Sequence, residues 1–273
     1  MENGTITYTQ LLREDLGIFR VTPDGQVPDF KAGQFLTLGL PLDSKIVNRA
    51  YSITSSPQNK NFFEFVIRWV RRPLPGRLTS LLFNAKEGDK ISWAKPAGNL
   101  TINDTLPNGE KDTRRIVCIG GGTGLAPFVS FAQHLHDTND KREIVVLHGA
   151  SYVDELSYKQ LLTDLENESL DRGKDKWNFK YRAAISRPDE WTNRSWIGHK
   201  GRIEQFLRPT DSGKSALEEL VGEKITKENT IFYVCGWQGT IDGTMDYLTN
   251  KNFVTEKNKR EDGSFEVKYE SYG

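Results

Sequence analysis

The chain has 273 residues, 36% hydrophobic and 27% charged, with 37 basic against 37 acidic side chains and a pI near 6.9. This length accommodates two domains with separate cores, and the neutral balance gives no global reason to bind nucleic acid or an anionic membrane. No apolar run reaches bilayer length, and the start, MENGTITYTQLLRED, lacks a charged head followed by an apolar core; the expectation is a cytoplasmic protein with no membrane span.

Residues 1–102 read as short alternating runs broken by Gly and Pro: TITYTQLL, QFLTLGL, FFEFVIRWV and KISWAKP. One helix-like segment, LTSLLFNA at 78–85, interrupts them. Many short strands at close spacing predict an antiparallel barrel or sandwich. Residues 103–114, NDTLPNGEKDTR, are polar and hold Pro and Gly, and read as an interdomain linker.

From 115 to 273 the rhythm is β-α-β. RRIVCIG (114–120) is a buried strand, and GLAPFVSFAQHL follows with Leu125, Phe128, Val129, Ala132 and Leu135 on one helical face. Pro127 suits a first helical turn, where its missing N–H costs nothing. REIVVLHGA (142–150) is the second strand, and 154–168 is a helix with Asp154 as N-cap. NFKYRAAIS (178–186) is the third strand, GRIEQFL a short helix and TIFYVCG (230–236) a further strand. A helix to about Asn250 and the extended FEVKYESY complete the pattern. Strands alternating with helices predict a doubly wound parallel sheet. The fold class is therefore an N-terminal antiparallel β-barrel followed by a C-terminal α/β domain.

The two cysteines, Cys118 and Cys235, lie far apart in apolar strand-like runs. An iron–sulfur cluster needs about four thiolates, so the pair supports neither a cluster nor a Cys-built zinc site. A redox cofactor here must be organic. The structural alternative for each cysteine is a small buried hydrophobe.

Gly120-Gly121-Gly122-Thr123-Gly124-Leu125-Ala126-Pro127 stands between a strand and a helix. Glycines admit a pyrophosphate close to the backbone, and the helix N-terminus offers free N–H groups. An NAD site usually carries Asp or Glu at the end of the second strand; here His148-Gly149-Ala150-Ser151 stands there, with no carboxylate until Asp154. Ser186-Arg187 ends the third strand and Arg202 follows Gly201. A planar guanidinium matches a 2′-phosphate, which favours NADP(H) over NAD(H). Separately, each Arg could be a solvated surface charge.

Arg49-Ala50-Tyr51-Ser52 is, on its residues alone, a strand with a cation, an aromatic and a hydroxyl. Together with Gly76-Arg77-Leu78-Thr79, the Thr-Gly-x-x-Pro turn and Cys235-Gly236, in that order along the chain, it resembles the ferredoxin–NADP(+) reductase superfamily, in its compact bacterial form. The resemblance implies FAD in the barrel and NADP(H) on the sheet. Arg49 then pairs with the FAD pyrophosphate, with Ala50 beside it, and Tyr51 stacks on the isoalloxazine. Ser52 serves flavin N5, and Val66, Ile67 and Arg68 line the flavin with backbone. Gly76, Arg77, Leu78 and Thr79 wrap the pyrophosphate; for Thr79 the plain alternative is a helix N-cap. Thr123 touches both cofactors, Gly122 and Gly124 sit under the dinucleotide, and Ser151, Ser186, Arg187 and Arg202 surround its adenosine end. Cys235 and Gly236 border the nicotinamide. Cys235, Ser52 and Glu270 are the catalytic candidates, and Tyr272 covers flavin or adenine.

The sequence departs from the family pattern in three places. Ser151 stands where relatives have Arg. Trp237-Gln238-Gly239 follows Cys235-Gly236 where Asn or Ser and then Pro are usual. Gly273 replaces a final aromatic.

The reaction so implied passes a hydride between NADP(H) and FAD and single electrons to ferredoxin or flavodoxin, by a monomeric enzyme. Arg68, Arg71, Arg72 and Arg77 form a cationic run that could steer an acidic carrier. Its bland reading is a solvated hairpin end. The alternatives are a stand-alone NAD(P)H:flavin reductase or diaphorase, the reductase component of an oxygenase, and a flavin-binding subunit that uses no pyridine nucleotide.

Overall fold

The computed structural model describes residues 1–71 and 76–272; Arg72 and Gly273 fall outside the described residues. Two compact units are present, residues 1–102 with 126–138, and 103–125 with 139 onward.

The first unit holds β1 (Glu2–Arg13), β2 (Leu16–Pro23), β3 (Phe35–Leu42), β4 (Lys45–Ser52) and β5 (Phe63–Arg68), then α1 (Arg77–Asn84) and β6 (Lys90–Trp93). They form one antiparallel sheet in the order β4-β3-β6-β1-β2-β5. Period-two alternation decides what fills it: Leu36, Leu38 and Leu40 of β3, and Phe63, Phe65 and Ile67 of β5, point into one core with Ile6, Phe19, Ile91 and Trp93. Just beyond β4, Thr54 N–H bonds the Glu64 carbonyl of β5 at 2.8 Å, bringing the two edge strands together. Leu78 and Leu82 seal α1 onto the same core.

The second unit holds β7 (Arg115–Gly121), β8 (Ile144–Ala150), α3 (Lys159–Arg172) and β9 (Phe179–Ile185), and α2 (Ala126–Asp137) lies between β7 and β8 along the chain. After them come β10 (His199–Lys200), α4 (Ala216–Val221), β11 (Thr230–Gly236), α5 (Gln238–Asn250) and β12 (Val267–Ser271). The strands are parallel in the order β10-β9-β8-β7-β11-β12. Because both faces are covered, β7 and β11 are buried at every position, the continuous apolar run expected of a parallel strand.

Helix α2 groups with the barrel unit rather than with the strands on either side of it. Its Ser130 hydroxyl donates to the Ser55 carbonyl and its Gln133 amide to the Thr54 carbonyl, both at 2.8 Å. Residues 103–114 group with the α/β unit. Arg142 holds them there, donating to the Asn103 and Asp112 carbonyls while pairing with Asp104 and Asp140.

Two sequence expectations are corrected. Asp154 is not the N-cap of α3; it lies in a separate 3-10 turn, Val153–Glu155, and the helix begins at Lys159 after Tyr158 turns left-handed at φ 57°. The helix also runs on to Arg172, because Ser169 faces inward and exchanges hydrogen bonds with the Trp177 carbonyl and Phe179 N–H. GRIEQFL is a 3-10 segment, Ile203–Leu207.

Candidate active site

In the barrel unit the motif Arg49-Ala50-Tyr51-Ser52 ends β4, an edge strand with most positions exposed. Arg49 and Ala50 face solvent, Tyr51 is half-buried and Ser52 is buried. The Tyr51 and Thr79 hydroxyls meet at 3.1 Å, which ties β4 to the first turn of α1. Burial raises the Tyr51 phenol above its ordinary value, partly offset by Thr79 and the Arg49 charge, so the ring stays neutral.

Gly76, not Thr79, is the N-cap of α1; no side chain caps the helix and no acidic residue lies in its first turn. The first N–H groups of a helix have no partner within it. An uncapped N-terminus beside an exposed arginine fits a pyrophosphate. Arg77 is exposed, Leu78 is buried, and Val66 and Ile67 are buried in β5.

Arg68 is ion-paired to Asp15 at 3.0 Å, and Arg71 to Glu14 at 3.5 Å while stacking on Trp69. Two arginines of the cationic run, Arg68 and Arg71, are therefore paired with the β1–β2 turn.

In the α/β unit the β7 strand runs into a 3-10 turn, Gly122–Leu125, before α2. Gly122 has φ +57°, and a Cβ there would meet nothing within 4 Å, so bare backbone faces open space. Gly124 is the opposite case, since a Cβ would lie 2.2 Å from the Cys235 carbonyl oxygen. One glycine thus leaves backbone open to a ligand and the other lets the turn reach β11. This arrangement fits a dinucleotide, whose phosphates need close approach to N–H groups at a helix start.

Cys235 pairs in register with Glu270 of β12, and the Tyr272 N–H bonds the Gly236 carbonyl at 3.2 Å. The Cys235 side chain is fully buried; burial pushes its thiol well up, against a hydrogen bond from Tyr272. Burial also raises the Glu270 carboxyl. Cys235, Gly236, Glu270 and Tyr272 are thus brought together at the C-terminal end of the parallel sheet, where such sheets bind ligands.

The remaining candidates gather around β8 and β9. Arg187 donates to the Tyr152 hydroxyl at 2.8 Å and lies over its ring. Ser186 N–H bonds the Ala150 carbonyl at 2.9 Å. Arg202 is exposed, loosely paired with Glu204 at 3.8 Å, and approaches Gly239 in the first turn of α5. Ser151 N–H donates to Glu155 at 3.1 Å.

Sequence reasoning misses Asn193, which is 1% exposed and whose amide donates to the carbonyls of Ser151 and Arg187 at 3.0 and 2.7 Å. A polar loop gives no sign of which amide will be buried. His148 likewise reads only as part of a strand end.

Residues 4–102 match the oxidoreductase FAD-binding domain and residues 118–246 the oxidoreductase NAD-binding domain. A barrel of the first kind joined to a sheet of the second defines a flavin-dependent, two-domain oxidoreductase. Among curated relatives, a ferredoxin–NADP reductase of Azotobacter vinelandii is 31% identical, over 80% of this chain and 78% of that protein. A flavodoxin/ferredoxin–NADP reductase of Escherichia coli (strain K12) is 30% identical, over 85% of this chain and 84% of its own. A ferredoxin NADP+ reductase from Neisseria gonorrhoeae, solved with bound FAD and NADP, shares the fold at TM-score 0.77 and 22% identity, covering 98% of this chain and 97% of that one. The chain belongs to the ferredoxin/flavodoxin–NADP reductase family.

Proposed function

We propose that the protein exchanges a hydride with NADP(H) through FAD and single electrons with ferredoxin or flavodoxin, as a cytoplasmic monomer. The observation that carries this reading is the Cys235–Glu270–Tyr272 cluster, at the same C-terminal end of the parallel sheet as the open Gly122 turn. A turn for the phosphates and a polar, partly dry cluster for the ring are what a nicotinamide dinucleotide requires. The barrel supplies Arg49 and the uncapped start of α1 for a second pyrophosphate.

The domains are assigned as 1–102 for FAD, 103–114 as connection and 115–273 for NADP(H) with the tail. When bound, the flavin supplies the conversion between a hydride pair and single electrons, which no side chain can do. The chain's residues bind and orient. Arg49 offsets pyrophosphate charge, with Gly76, Arg77, Leu78 and Thr79 around the same group. Tyr51 offers its face to the isoalloxazine, Ala50, Val66, Ile67 and Arg68 line it, and the Ser52 hydroxyl holds a hydrogen bond at N5. Thr123, Gly122 and Gly124 carry the dinucleotide. Arg187 and Arg202 take the 2′-phosphate, with Ser151 and Ser186 beside them. Cys235 and Gly236 border the nicotinamide. Glu270, held toward its protonated form, serves as a proton or orientation group, and Tyr272 covers the flavin or its adenine.

The test is reduction of ferredoxin and of flavodoxin by the FAD-loaded protein with NADPH, compared with reduction of free FMN. Carrier reduction with FAD retained is the expected result. Reduction of free flavin alone, with FAD lost on gel filtration, would establish the diaphorase alternative instead.

A further inference from the structure

A histidine inside a parallel strand is an unusual choice. Strand β8 reads Ile-Val-Val-Leu-His-Gly-Ala, and His148 occupies a place where its predecessors are aliphatic. Its side chain is 0% exposed. Leaving a polar group of this kind buried without a partner is costly, so its ring nitrogens call for partners.

Two groups face the ring. The Tyr181 hydroxyl of β9 lies 3.3 Å from Nδ1. Strand pairing sets His148 beside Gly120, two residues from the Gly122 backbone, which acts on the imidazole in the sense of a carbonyl acceptor, favouring the protonated ring. Nε2 is buried and has no hydrogen-bond partner among the described residues. Burial pushes the imidazole down to about 4, which leaves it neutral near pH 7, with one donor nitrogen and one acceptor nitrogen. If Tyr181 donates to Nδ1, the proton sits on Nε2.

The position matters because β8 and β7 are in register there, His148 beside Gly120, two residues before Gly122. In a trans peptide the carbonyl and the following N–H point in opposite directions. A Gly122 carbonyl held inward toward His148 therefore directs the Thr123 N–H outward, away from the sheet.

We infer that His148 is a positioning residue for the dinucleotide turn, its Nε2–H closing on the Gly122 carbonyl when NADP(H) binds and so aiming the Thr123 N–H at the ligand. Tyr181 selects the tautomer that makes this possible. The inference rests on the reading of this turn as the NADP(H) site.

The test uses the FAD-loaded protein and NADP+ as the probe, with binding read from the flavin difference spectrum and folding from the thermal midpoint. His148→Phe keeps an aromatic ring and removes both nitrogens; NADP+ should bind about tenfold more weakly, the size expected for one lost hydrogen bond, with the midpoint unchanged or higher. His148→Gln puts an amide donor near the place of Nε2 and should recover most of that loss. A role in packing alone would lower the midpoint in both variants and leave the NADP+ affinity at the native value, which would overturn the inference. Should His148→Phe not fold, the native ring still decides. Nitrogen NMR at pH 7 must show the proton on Nε2, with that resonance moving when NADP+ is added. A proton on Nδ1, or an Nε2 signal indifferent to NADP+, would refute the assignment. Failure of the native protein to bind NADP+ would sink the site reading together with it, whereas native binding with an unaffected His148→Phe sinks the inference alone.

Discussion

In the barrel, the groups proposed for a ligand are side chains: Arg49 in solvent and Tyr51 half-buried on the edge strand β4, with Thr79 buried in the first turn of α1. In the α/β sheet they are backbone: the Gly122 turn stands open while Gly124 is pressed against β11. The first arrangement can lose a ligand contact and keep its fold, because an exposed arginine supports little else. The second cannot, because the open Gly122 and the tightly packed Gly124 belong to one four-residue turn, so a change that pushes the turn off β11 also moves the backbone proposed for the ligand.

The largest expected effect breaks that closeness. Gly124→Ala forces a Cβ to within 2.2 Å of the Cys235 carbonyl oxygen, a backbone atom, so the turn or β11 must shift. Unfolding in urea should show a loss of about 3 kcal/mol or more, together with loss of NADP+ binding. A variant of native stability and affinity would show that the turn can yield without cost.

Next is the acid sensitivity that His148 contributes in the α/β unit. His148 titrates at about 4 when folded, against 6.5 ordinarily. As pH falls below 6.5 the unfolded chain takes up a proton that the folded chain refuses until about 4, so stability must drop across that window. The drop is about 3 kcal/mol in full. The groups found facing the ring are the Tyr181 hydroxyl and the Gly122 carbonyl, neither of them charged in this range. Urea midpoints at pH 7 and pH 5 should differ less in His148→Phe than in the native protein; equal slopes would contradict the buried neutral imidazole.

The barrel should respond differently. Arg49→Ala removes a charge-assisted contact worth about 2 kcal/mol, so FAD affinity should fall about thirtyfold. The apoprotein's thermal midpoint should stay put, since Arg49 is exposed. A fall in apoprotein stability would mean that the exposed strand depends on its side chains after all. Smallest is Ser52→Ala, with hydride transfer slowed about tenfold, or about 1.4 kcal/mol, in stopped-flow reduction by NADPH. An unchanged rate removes Ser52 from the chemistry.

These two regions also differ in how legible they are in the amino-acid sequence. The Gly120–Pro127 turn declares itself through physics: a buried strand, a run of glycines and a helix start admit few alternatives. Arg49-Ala50-Tyr51-Ser52 does not; strand alternation describes its faces, and only the family resemblance attaches a flavin to them. Residues whose importance comes from burial stay invisible. Asn193 looks like any loop asparagine until its amide is seen holding Ser151 and Arg187, and His148 looks like a strand end until its ring is found sealed beside Gly122. Asp154 misleads because a good capping residue precedes an apolar pattern, while the chain spends it in a 3-10 turn and starts the helix after Tyr158. The basic run at Arg68 and Arg71 reads as a free patch because its partners, Asp15 and Glu14, come from a distant turn.

The most direct test of the two-cofactor account is an anaerobic titration of the purified protein, followed by its visible spectrum, first with NADPH and separately with NADH. A yellow protein bleached rapidly by NADPH and slowly by NADH is the predicted result, with Arg187 and Arg202 responsible for the difference. A colourless protein that takes up no added FAD would contradict the account at its centre.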